Sequence, residues 1–241
     1  MSKIANYTLF YNAEDGKMHA GSCREENEAL VDIDIREPVE IAGYRGEGKK
    51  LILTGLEFVT SADIALVVPA DTTLVLESGV STLKVDPTSP IANVAVLYVK
   101  GDLTITGGEG RLICDASSTK AENCSWSRGI CVRYADLTVS GGHLEVYCGD
   151  CNVRAGALYA GGRLFSSENG ESENGAITIT GGSVKATAVP HTIRATNTKL
   201  TIGPRSVVEN SNEFSGSAEE FHGDYLAQAD PAKPVVVRFD P

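Results

Sequence analysis

A short phrase recurs along the chain: Asp102-Leu-Thr-Ile-Thr-Gly-Gly, Asp136-Leu-Thr-Val-Ser-Gly-Gly, Ala176-Ile-Thr-Ile-Thr-Gly-Gly and Lys199-Leu-Thr-Ile-Gly. An alternating strand closed by glycine and repeated every few tens of residues points to stacked coils, a solenoid, in place of one closed globular core. Each phrase has a strand on either side. Arg111-Leu-Ile-Cys-Asp-Ala, His143-Leu-Glu-Val-Tyr-Cys and Ser183-Val-Lys-Ala-Thr-Ala follow it; Val96-Leu-Tyr-Val-Lys, Ile130-Cys-Val-Arg, Leu158-Tyr-Ala and Ile193-Arg-Ala precede it. Three short strands with small-residue corners thus make one coil. Successive side chains of a strand point to opposite faces, so Leu103/Ile105, Leu137/Val139, Ile177/Ile179 and Leu200/Ile202 turn inward. Leu112/Cys114, Leu144/Val146 and Val184/Ala186 do the same, and neighbouring coils are expected to pair as parallel strands.

The steps between repeats are unequal because extra residues enter at one corner, at 115–128, 149–155 and within 166–174. Insertions confined to one corner map to one face of a repeat protein, often its binding face. Lys50-Leu-Ile-Leu-Thr-Gly and Thr73-Leu-Val-Leu-Glu-Ser-Gly are degenerate members of the series. The pattern predicts one structural domain: a hairpin cap and entry strands over 1–48, the repeats over 49–212, and a cap or arm over 213–241. Tyr7-Thr-Leu-Phe-Tyr-Asn before Glu14-Asp-Gly-Lys predicts the hairpin. Ser217-Ala-Glu-Glu predicts a short helix with Ser217 as N-cap, and Val235-Val-Val-Arg-Phe a last strand.

Thirty-two acidic against 21 basic residues give a net charge of −11 over 241 residues. That balance disfavours nucleic acid and anionic membrane as partners, and no stretch is long and apolar enough to span a bilayer. No signal peptide is read after Met1, so the chain as written is expected in the cytoplasm, or outside the cell if a leader precedes it. Cys114 and Cys148 read as small buried hydrophobes. Cys148-Gly-Asp-Cys151, with Cys124 and Cys131 nearby, leaves free thiols, a Cys124–Cys151 disulfide and zinc all open.

The succession of "DLTITGGEGRLICDA", "GICVRYADLTVSGGHLEVYC" and "GAITITGGSVKATA" resembles the carbohydrate-binding-repeat proteins of Firmicutes, within the pectate-lyase-like fold group. The likeness covers about two thirds of the chain. It implies an all-β, right-handed, single-stranded parallel β-helix, and carbohydrate binding outside the cell, with Ca2+ as an optional aid.

Aligning the inward positions gives an outward ladder of Tyr98, Cys131, Tyr159 and Arg194, with Lys100, Arg133, Gly161 and Thr196 beside it. Aromatic faces suit sugar C–H surfaces, and guanidinium forks suit uronic-acid carboxylates. Trp126 and Arg128 fall in the longest corner insertion, so Tyr98, Lys100, Trp126, Arg128, Arg133, Tyr159 and Arg194 are the candidate binding residues, bordering a groove. Asp102 and Asp136, one coil apart, are either calcium ligands or caps, each for its own Gly-rich turn through backbone N–H groups. Glu122, Asp150, Glu168, Glu171 and Glu173 read as solvated loop acids. A polysaccharide lyase or glycoside hydrolase is the enzymatic alternative; Arg133 with Asp136 is the nearest lyase-like combination, and no pair of carboxylates stands out for glycoside hydrolysis. No catalytic residue is assigned. The Thr104/Thr106, Thr138/Ser140 and Thr178/Thr180 ladder also matches a flat ice-binding array, although Gly203 breaks it. A structural or assembly protein is the remaining class.

Overall fold

Strand formers alternate with Gly, Asn and Asp along almost the whole chain, and the computed structural model is all-β, with no helix among its described residues. The structure describes residues 4–26, 29–87, 93–120, 124, 126–150, 154–161, 175–189, 191–195, 199–218 and 220–239. In chain order the strands begin with β1 (Thr8–Asn12), β2 (Lys17–Glu26), β3 (Ala29–Pro38), β4 (Tyr44–Glu47), β5 (Lys50–Leu53), β6 (Glu57–Thr60), β7 (Ile64–Val68), β8 (Thr72–Leu76) and β9 (Val80–Val85). There follow β10 (Asn93–Val99), β11 (Leu103–Gly107), β12 (Arg111–Lys120), β13 (Trp126–Val132), β14 (Leu137–Asp150), β15 (Arg154–Ala160), β16 (Ile177–Thr187), β17 (Ile193–Ala195) and β18 (Leu200–Ile202). The last are β19 (Ser206–Glu209), β20 (Gly216–Ala218), β21 (Phe221–Gly223), β22 (Tyr225–Leu226) and β23 (Val235–Phe239).

They form two large mixed sheets. One has nine strands in the order β22-β17-β15-β13-β10-β7-β1-β2-β3. The other has fourteen, along the path β20-β19-β23-β16-β14-β11-β8-β5-β4, with β6, β9, β12, β18 and β21 attached beside it. Parallel pairing carries the repeats: Leu103 lies opposite Leu137, Leu137 opposite Ile177, and Ile177 opposite Leu200. Leu112, Leu144 and Val184 form a second file, and Cys114, Val146 and Ala186 a third. All ten of these side chains are 1 % exposed or less and belong to one continuous core. Burying each Leu, Ile or Val contributes about 1.5–3 kcal/mol. At the corners, Gly142 and Gly182 take φ of 76° and 74°, and a Cβ on Gly182 would strike the Gly142 carbonyl oxygen. Glycine is required there twice over.

The ends follow the expected plan only in part. The β1–β2 hairpin forms, and β23 joins the fourteen-stranded sheet antiparallel between β16 and β19. The short helix from Ser217 does not form: Ser217 lies in β20, opposite Val207. An open sheet edge at β19 supplies backbone partners that outweigh a three-residue capping signal. The N-terminal cap also goes further than a simple hairpin, because β2 continues to Glu26 and returns as β3.

His19 pins the root of that return. Its Nδ1 meets the Arg36 carbonyl and its Nε2 the Asp15 carboxylate, each at 2.8 Å. The Arg36 carbonyl above all, then Asp15 and Glu37, raise the His19 pKa above its usual 6.5. The Lys17 N–H and His19 lower that of Asp15 below 3.8. The histidine contribution is full below the unfolded imidazole pKa and is lost as pH rises through the raised folded value; the aspartate contribution is lost as pH falls through its lowered one. Denaturation of wild type and His19→Gln should therefore differ most between these ranges, with the difference shrinking as pH is raised through the folded imidazole value. In the core, Leu144→Ala should cost about 2–5 kcal/mol in chemical denaturation, whereas Thr138→Ala, on the outward side of the same strand, should change stability by about 0.5 kcal/mol or less.

Candidate functional site

Four strands of the nine-stranded sheet share an irregular pleat. Ala65 with Leu66, Val96 with Leu97 and Ala157 with Leu158 are consecutive residues that both join the main core. In β13 the corresponding pair is Gly129 and Ile130, and a Cβ on Gly129 would collide with Val146 inside. Two inward residues in succession shift the phase of the alternation. The residues flanking each pair therefore all turn outward, and Ile64, Ala95, Tyr98, Trp126, Cys131 and Tyr159 form a second apolar cluster on the outer face.

The ladder register is the one the sequence predicts: Tyr98 opposite Cys131, Cys131 opposite Tyr159, Tyr159 opposite Arg194. Beside it Arg128 lies between Ala95 and Gly156. Two small neighbours leave its long side chain room to lie flat. Its guanidinium carbon sits 4.1 Å from the Trp126 ring centroid and 3.7 Å from that of Tyr159, a double cation–π contact. Arg133, at the end of β13, stands 5.4 Å from both rings and forms an ion pair with Glu25 of β2. Arg128 Nη1 also donates to Cys131 Sγ at 3.4 Å.

Burial governs the chemistry of this cluster. It pushes the Cys131 thiol up in spite of the two arginines, and the Tyr98 hydroxyl up as well. Both are protonated at neutral pH, so Cys131 has none of the thiolate character a nucleophile needs. Burial also works against the charge of Arg133, but Cys131, Glu25 and the tyrosines around it prevail and raise its pKa. Among the described residues the buried Tyr98 hydroxyl has no hydrogen-bond partner. Two guanidiniums among them thus share a buried cluster with the Glu25 carboxylate, and Arg128 meets two π faces and the Cys131 sulfur.

The structure brings together Tyr98, Trp126, Arg128, Arg133 and Tyr159, but not around an open groove. Arg133 is 1 % exposed and Trp126 8 %, because Cys23 and Leu30 of the β2–β3 hairpin pack over the cluster. Trp126 opens strand β13 instead of lying in a corner loop. Lys100 is exposed and outside the cluster, and Arg194 is half-buried at the far end of the ladder. The sequence gives no sign of Glu25. It falls in the charged run Arg24-Glu25-Glu26, which reads as a solvated turn, and its partner is 108 residues away.

Asp102 and Asp136 serve as backbone caps, but each caps the start of the next repeat and not its own Gly-rich turn. Asp102 Oδ1 accepts the Asp136 N–H at 3.0 Å, and Asp136 Oδ1 accepts those of Gly175 and Ala176 at 2.9 Å. Among the described residues no three His, Cys, Asp or Glu side chains converge as metal ligands. Cys23, Cys114 and Cys131 are thiols, Cys114 and Cys131 fully buried. Cys151, Glu122, Glu168, Glu171, Glu173, Thr196 and the side chain of Asp150 lie outside the described residues. For the lyase-like combination, Asp136 is engaged by backbone N–H groups and Arg133 by Glu25.

Compared with known proteins, the chain matches no family model, no curated protein and no solved structure. Asp136→Ala leaves two N–H donors without their acceptor and should lower stability by about 1–3 kcal/mol. Denaturation in EDTA and in millimolar Ca2+ should give the same loss; a loss confined to the calcium-loaded protein would identify a cation site instead.

Proposed function

We propose that this chain is a right-handed parallel β-helix that binds carbohydrate without transforming it, and that the outer face of β10, β13 and β15 is its binding face. The winding is supported by the like-with-like parallel register of Leu103, Leu137, Ile177 and Leu200. The observation that carries the function is Arg128 held flat between Trp126 and Tyr159, with Arg133 beside it. Flat apolar rings next to guanidinium forks match a sugar ring that carries a carboxylate. The likeness of the repeats to carbohydrate-binding β-helix proteins favours the same reading.

A second reading has its own support. The cluster is closed over by β2 and β3, as suits a structural or assembly protein in which aromatic and arginine side chains cement a cap. Titration of the full chain with oligogalacturonates and cello-oligosaccharides separates the two. Binding predicts a change in Trp126 emission, the single tryptophan of the chain, with heat released by the acidic sugars and none by the neutral ones. Silence across the panel favours the structural role, and unsaturated product absorbing near 235 nm would instead reveal a lyase.

A further inference from the structure

The hairpin that closes the site is attached to the rest of the molecule in two unequal halves. Near its root, residues 17–21 of β2 pair with β1 from Thr8 to Asn12. Among the described residues, β2 beyond Gly21 pairs with β3 alone, and β3 pairs with β2 alone. Side-chain contacts among the described residues hold the distal half, one of them Cys23 Sγ donating to Thr8 Oγ1 of β1 at 4.0 Å. Cys23 and Leu30 rest on the aromatic cluster, Asn93 Nδ2 donates to the Glu25 carbonyl at 2.9 Å, and the Glu25 carboxylate pairs with Arg133. Arg24 pairs with Asp32 and Arg36 with Asp34 within the hairpin itself, so these ion pairs do not tie it down. Nor is the cover sealed at its root: Ile35 is 54 % exposed and borders a groove of about 610 Å³ lined also by Phe10, Val67 and Lys49. Phe10 and Val67 continue the Tyr98 ladder, being in register with it through β7.

Beneath the cover lie the two guanidiniums, of which Glu25 neutralises one. Tyr98 is 0 % exposed, and among the described residues its hydroxyl has no hydrogen-bond partner. An aromatic-walled site with an excess positive charge and an unused hydroxyl is a site for an anion larger than a single carboxylate side chain.

Building on the carbohydrate reading, we propose that the distal β2–β3 hairpin is a displaceable flap and that Glu25 occupies the position of a ligand carboxylate on Arg133. The ligand class is an oligosaccharide carrying uronic-acid carboxylates. On binding, one such carboxylate replaces Glu25 on Arg133, a sugar ring takes the apolar space left by Leu30 and Cys23, and Glu25 moves into water. The process exchanges one ion pair for another and breaks no covalent bond. Affinity is reduced by the fraction of time that the flap is closed.

The experiment uses the full chain, wild type, Glu25→Gln and Glu25→Asp. It combines acrylamide quenching of Trp126 and hydrogen exchange of the distal hairpin amides with titration by trigalacturonate. Glu25→Gln should raise quenching before any sugar is added and tighten trigalacturonate binding about tenfold. Glu25→Asp, which keeps the charge on a shorter arm, should lie between and serves if the glutamine variant fails to fold. Trigalacturonate should speed exchange in the wild-type hairpin. Equal binding by all three proteins, or slower hairpin exchange on binding, would overturn the flap and leave carbohydrate binding standing. No binding by any of them would remove the carbohydrate reading and this inference together.

Discussion

The one-to-one register between parallel strands governs the rest of the structure. A slip of one residue in any of these strands would send its aliphatic side chains to the outer face, away from the files of Leu, Ile and Val in the core. That register organises the outside as strictly as the inside. Once Leu97, Ile130, Leu158 and Ile193 are aligned within, Tyr98, Cys131, Tyr159 and Arg194 must be aligned without. A face assembled from several parallel strands is therefore a by-product of packing the core. The doubled inward residues refine it, since they bring Trp126 and Arg128 onto the same side as Tyr159 although simple alternation would separate them.

How much of this is legible in the sequence follows from the range of each interaction. The inward files and the Tyr98 ladder are readable because a strand announces its faces locally, by alternation. The phase shift at Gly129 and Ile130 is not, because a glycine beside an isoleucine looks like an ordinary corner until Val146 is known to lie against it. Trp126 is misplaced for the same reason: its polar neighbours Ser125 and Ser127 suggest a loop, while Ser127 in fact occupies the interior side of β13, fully buried. Ser217 carries a sound capping signal that loses to an unpaired sheet edge. Glu25 is beyond local reasoning altogether, because what distinguishes it from Glu26 is only the strand that folds beneath it.

The two outer faces of the molecule treat charge differently. On the fourteen-stranded sheet, Arg111 and Lys185 flank Glu145, and the Tyr147 hydroxyl donates to the same carboxylate at 2.5 Å. Those groups are partly hydrated, and each such pair contributes about 0–1 kcal/mol. On the nine-stranded sheet, Arg128, Arg133 and Glu25 are almost without water. Desolvation there cancels most of the attraction, and an apolar trio of equal volume would hold the cap at least as well. Stability alone thus gives a weak reason for placing two arginines beneath a hairpin. The ligand proposed above, whose charge they match, would give a stronger one.

Edge protection and looseness of the hairpin have a common origin. β3 ends the nine-stranded sheet and leaves Ile33 and Ile35 more than half exposed, a combination that invites pairing with another chain. It is countered by Asp32, Asp34 and Arg36 between and beside them, by Pro38 at its end, and by the left-handed backbone of Asp32, where φ is 52°. The register with β2 shifts there. Each of these devices keeps a neighbour away by making β3 irregular and polar. The same features deny β3 a packed underside and leave its grip on the body to Leu30 and to its partner strand. A cap built to resist pairing is for that reason a cap with little strand pairing to the body, and it lies over the cluster that holds the buried Glu25–Arg133 pair.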